Sequence, residues 1–138
     1  MFLADYLDAA TNRPWVWGIS DCCFFGGDWI RAATDRDPLA PYRGAYSTAA
    51  EAGRIIMRAG GLVRMVETEM RRCGFVRALV AEHGDIAVLA VPTHGADSPA
   101  RASVVIADGP WWLGRTLDGY LGTRAEPTAI WRVLGSVR

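Results

Sequence analysis

A chain of 138 residues, about half of them hydrophobic, is long enough to bury one core and too short for two, so residues 1–138 are expected to form a single domain. Fifteen basic residues balance fifteen acidic ones, which leaves no overall field to gather nucleic acid or anionic lipid. No apolar run reaches the roughly 18 residues of a membrane span.

The opening Met1-Phe2-Leu3-Ala4-Asp5 has no basic segment leading into an apolar one, so no signal peptide is expected and synthesis in a cytoplasm is. Every basic residue is Arg. With abundant Ala and Gly, that bias points to GC-rich coding and a bacterial or phage source, and the planar guanidinium also suits protein–protein contacts. Cys22 and Cys23 are adjacent and poorly placed for a mutual disulfide, Cys73 lies in a helical pattern, and no Cys or His spacing suggests zinc. Neither a metal nor a cofactor is expected.

Phe2, Leu3, Tyr6, Leu7 and Ala10 recur with helical spacing, and Asn12-Arg13-Pro14 ends that first helix. Trp15-Val16-Trp17-Gly18 approaches a second helix, Cys22 to Ala33, which Ser20 or Asp21 is placed to cap. Gly26-Gly27 inside it costs about 1 kcal/mol per Gly against Ala, which implies that another backbone packs closely there. After a loop, Thr48 with Glu51 fits a capping box opening a helix that stops at Gly60-Gly61. Leu62, Met65, Val66, Glu69, Met70 and Cys73 give one more helix, stopped by Gly74.

The period then changes. Ile86–Val91 reads as a buried strand entered through Gly84-Asp85, and a polar loop from Pro92 to Arg101 leads to a second strand, Ala102–Ala107. Asp108-Gly109 turns the chain into Pro110-Trp111-Trp112-Leu113, and Ala129–Leu134 forms the last strand. Helices followed by antiparallel strands make an α+β fold. Trp15, Trp17, Trp29 and Trp131 suit core positions; Trp111 and Trp112 point to opposite faces of their strand, which leaves one of them exposed.

Cys22 begins a helix, where unsatisfied backbone N–H groups and the helix dipole favour the thiolate, the nucleophilic form. Asp21 beside it opposes a second negative charge. On residues alone, a catalytic thiol and a buried helix start both remain open.

The order Trp17-Gly18, Asp21-Cys22, Asp28-Trp29, Gly60-Gly61, Gly84-Asp85 and the Ala129–Val133 strand resembles the NlpC-type, papain-like cell-wall peptidase superfamily. It is most similar to a branch of small phage and prophage proteins of unknown function, often encoded near tail genes. The resemblance implies N-terminal helices packed on a small antiparallel sheet, with Cys22 as nucleophile toward an amide of peptidoglycan stem peptides. It also implies a His base near Arg101, Ala102 or Ser103, and none of these is His. Arg stays protonated and cannot serve as a base.

His94, in the loop, and His83, before Gly84-Asp85, are the candidates that remain, with Asp97, Ser98 or Asp108 to orient His94. Without a base, activation typically worth about 10²–10⁴-fold in rate is lost. The resemblance therefore implies a virion protein of the phage tail with an altered site. Its partners would be tail hub or tip proteins and peptidoglycan, without nucleic acid. The alternative is an active cysteine peptidase or amidase.

Overall fold

A computed structural model describes residues 1–92 and 100–135. Among them four α-helices precede one six-stranded antiparallel sheet, an α+β fold as expected. The helices are α1 (Leu3–Thr11), α2 (Phe24–Thr34), α3 (Ala49–Arg58) and α4 (Leu62–Arg72). The strands are β1 (Arg77–Ala78), β2 (Ile86–Pro92), β3 (Ala100–Asp108), β4 (Trp111–Thr116), β5 (Gly119–Thr123) and β6 (Ala129–Trp131), in the spatial order β1-β6-β2-β3-β4-β5. No helix among the described residues is long and apolar enough to cross a membrane.

The local signals act as their chemistry dictates. Thr48 Oγ1 accepts the Glu51 N–H at 3.1 Å while the Glu51 carboxylate turns back to Ser47 and Thr48, which closes the box that starts α3. Gly109, with φ +57°, takes the first central position of the two-residue turn joining Asp108 to Trp111. Trp111 is exposed and Trp112 buried, as the alternation of a strand requires. The last strand is shorter than expected. It stops at Trp131 because the Arg132 side chain and the Val133 N–H turn to Asp85.

One face of the sheet, through Ile86, Val88, Val104, Ile106 and Trp131, packs against α1, α2 and α4 in the main core. Trp29 and Trp131 lie inside that core, whereas Trp15 and Trp17 are only partly covered. The opposite face gathers Ala87, Leu89, Val91, Val105, Ala107 and Trp112.

The feature that positions the site is a gap in the pairing. β4 pairs with β3 only over Ile106–Asp108, so the N-terminal half of β3 has no β4 neighbour. The turn leading into α2 fills that place. The Val104 N–H donates to the Cys22 carbonyl at 3.1 Å. A Cβ on Gly26 would lie 2.3 Å from Val104 Cγ1 and 2.9 Å from Val104 O, so the backbone approach expected at Gly26 is present. At Gly27 the neighbour is the Leu39 side chain.

Candidate functional site

Asp21 organises the entrance to α2. Its Oδ1 accepts the N–H groups of Cys23 and Phe24 at 3.0 and 3.1 Å, and the Phe25 N–H donates to the Asp21 carbonyl, so Asp21 is the working cap. Its Oδ2 accepts the Gly18 N–H at 2.9 Å and the Tyr46 hydroxyl at 2.5 Å. Gly18 has φ +80°, and a Cβ there would fall 2.1 Å from the Tyr46 carbonyl, so the tight turn after Trp17 admits only Gly. Ser20, the other capping candidate, donates to the Pro14 carbonyl instead.

The helix expected from Cys22 begins at Phe24, because the Cys22 carbonyl accepts from Val104. Cys22 lies in the turn just before it, buried, with Sγ 4.0 Å from the Ala102 carbonyl. Its thiol is lowered from the ordinary value chiefly by the hydrogen bond from Cys23. Ser103 and the charge of Arg101 act in the same sense, against burial and Asp21. Cys23 moves the opposite way, raised by that same hydrogen bond and by burial. The hydrogen bond they share thus favours ionisation at Cys22 over Cys23. Burial and the Asp21 carboxylate raise the Tyr46 phenol well above its ordinary value, which keeps it a donor.

The β3 residues opposite the thiol are the three where a His was sought. Ser103 is fully buried and its hydroxyl donates to the Arg101 carbonyl at 2.9 Å. The Arg101 guanidinium stands 5.1 Å from the centre of the Trp17 ring, itself edge-on to Trp15. This cation favours the thiolate but cannot relay a proton.

His83 is not brought to Cys22. Its Nδ1 lies 3.7 Å from Asp108 Oδ1, at the far end of β3. Asp108 is six residues along the strand from Ala102, on the order of 20 Å away. The same separation removes Asp108 as an orienting partner at Cys22. His94, Asp97 and Ser98 lie outside the described residues.

Other pieces of the motif prove to be braces. Asp28 accepts from Arg13 at 2.7 Å and from Arg43 at 2.6 Å. The Trp29 indole N–H donates to the Gly84 carbonyl at 2.8 Å, and fully buried Asp85 accepts from Arg132 Nε at 3.0 Å.

A model for a domain of unknown function (DUF6950) matches residues 2–133. The chain belongs to the DUF6950 family. No curated protein and no solved structure matches it.

A carboxylate oxygen of Asp21 and the sulfurs of Cys22 and Cys23 lie within 4.8 Å of one another, a grouping with metal-ligand chemistry. Both Asp21 oxygens already accept two hydrogen bonds each, so binding there would dismantle the helix cap. The two thiols alone fall short of the four ligands of a structural zinc site. What this DUF6950 site offers is a thiol whose ionisation is favoured, near an arginine, with no His brought to it among the described residues. Amide hydrolysis also needs a proton for the leaving amine, and neither Arg101 nor Ser103 is suited to supply it. Reading the sequence did not single out Cys23 or Tyr46 as partners. Tyr46 lies 25 positions from Asp21 and carries no local signal of the contact.

Proposed function

We propose that this DUF6950 chain is an NlpC-type, papain-like domain with an altered catalytic site. Its role is that of a phage-type tail protein, docked at the tail tip or hub for assembly or cell-wall contact. The observation that carries the altered site is the β3 stretch facing Cys22, where Arg101, Ala102 and Ser103 stand in place of a base. The tail location rests on the sequence resemblance.

Two measurements test this reading. Purified chain incubated with bacterial cell walls is expected to release no more stem-peptide fragments than its Cys22→Ser variant. In lysates of a producing strain, the chain is expected to sediment with tail particles. Free chain, absent from such particles, overturns the tail assignment.

The lowered Cys22 thiol favours a second reading, a working cysteine peptidase or amidase on peptidoglycan with His94 as base. Fragment release by the parent chain, lost in both Cys22→Ser and His94→Ala, would establish the enzyme and displace the first reading.

A further inference from the structure

The zero net charge divides into two unlike surfaces. On α3, Arg54, Met57 and Arg58 share one face at i, i+3 and i+4, and Met57 is 80% exposed. Arg64 and Arg71 share a face of α4, seven residues apart, with Glu67, paired to Arg77, between them. None of these four arginines forms an ion pair among the described residues; the nearby Glu51 carboxylate is engaged by Ser47 and Thr48.

The second surface lies on α1 and the hairpins beside it. An open groove of about 530 Å³ runs between Phe2, Leu7 and Tyr120, with Asp8, His83 and Asp108 on its rim. Phe2 is 81% exposed at its edge. Asp5, on the same face of α1 as Asp8, and Asp118, in the turn before Tyr120, extend the acidic rim. Asp5, Asp8 and Asp118 have no ion-pair partner among the described residues. α1 packs on α2 and β5, and α3 packs on α4.

We propose that these surfaces are complementary halves of one interface, and that the chain associates head to tail with a second copy of itself. In this arrangement Met57 enters the Phe2–Leu7–Tyr120 groove of the neighbour, while Arg54 and Arg58 pair with the acidic rim. An apolar knob between two cations fits an apolar slot between carboxylates. Arg and Met are both enriched in interfaces, and Arg makes bidentate pairs with carboxylates. Such a contact joins unlike patches, so it propagates into a ring or a stack unless closure ends it. It does not depend on the chemistry of Cys22.

The test is sedimentation equilibrium of the full chain at about 25 mM and about 500 mM salt, because exposed ion pairs are screened as ionic strength rises. The expected result is association at low salt, weakened about tenfold or more at high salt. Arg54→Glu/Arg58→Glu removes one half of the interface and Asp8→Asn/Asp118→Asn the other, all four positions being exposed. Each variant alone is expected to be monomeric. Mixed, they retain one intact pair of faces and form a dimer that grows no further. Met57→Glu is expected to give a monomer without altering charge on the acidic side. A monomer at about 100 µM chain in low salt overturns the proposal. So does a mixture of the two variants that forms no dimer.

Discussion

Gly26→Ala reports directly on the contact that holds Cys22 against the sheet. The new Cβ meets Val104 Cγ1 at 2.3 Å, Val104 O at 2.9 Å and Val104 Cβ at 3.0 Å, against the about 3.5 Å or more of an unstrained carbon contact. The methyl group can rotate away. The carbonyl cannot, because Val104 sits opposite Val88 in the β2–β3 ladder and its own N–H holds the Cys22 carbonyl. The start of α2 must then retreat by roughly half an ångström, an overpacking cost of about 3 kcal/mol. Ala instead of Gly in a helix returns about 1 kcal/mol, which leaves about 2 kcal/mol of destabilisation.

For a chain of this length that corresponds to a fall in Tm of about 8 °C, with a matching drop in the urea midpoint. Gly53 provides the control. It lies in the middle of α3 with nothing within 4 Å of its Cβ position, so Gly53→Ala is expected to stabilise by about 0.5–1 kcal/mol. Two helical glycines given the same substitution thus shift stability in opposite directions. Thermal and urea unfolding of both variants check this. If Gly26→Ala matches the parent within about 0.5 kcal/mol, or gains stability as Gly53→Ala does, the close docking of α2 on β3 is refuted.

Asp21→Asn keeps the shape of the side chain but removes the charge and sets an amide N–H against the Gly18 N–H or against those of Cys23 and Phe24. It is expected to cost about 3–5 kcal/mol in urea unfolding, and a loss under about 1 kcal/mol would contradict the capping role. Cys23→Ala removes the largest cause lowering the Cys22 thiol and leaves burial and Asp21, which raise it. The pH at which Cys22 alkylation is half-maximal, followed by mass spectrometry, is expected to move upward in this variant. An unmoved profile would show that the neighbouring thiol does not set the ionisation.

The helical half of the molecule was legible because its signals are local. Thr48 with Glu51, Gly60-Gly61 and Gly74 mark helix ends through bonds and turns made within a few residues. β2 and β3 were legible as apolar runs. β5 was not, because Gly119-Tyr120-Leu121-Gly122-Thr123 has neither an apolar run nor a clean alternation and forms through its pairing with β4. β1, two residues long, exists only as an edge partner of β6. At the site, the place of Cys22 followed from its capping residue. The partners of that cap did not, since Tyr46 arrives from a distant loop. His83 looked eligible by its place before a strand, and only the direction of β3 shows that it serves the other end. Zero net charge was read as the absence of an overall field, and a sum says nothing of how charges are distributed.

The residues that carry the sequence resemblance are mostly those that brace the chain. Gly18 and Asp21 fix the turn before the thiol, Trp29 ties α2 to Gly84, and Asp85 ties Arg132 and Val133 to the entrance of β2. Each of these bonds holds Cys22 at the head of α2 whether or not a base stands opposite. The brace needs no His either: the Ser103 hydroxyl bonds the Arg101 carbonyl, and Arg101 rests on Trp17. A motif built of such braces therefore testifies to architecture and leaves chemistry to the three β3 residues across from the sulfur. The same frame can present a nucleophile or simply a rigid body with two charged faces, and in this chain the faces are the more fully equipped of the two.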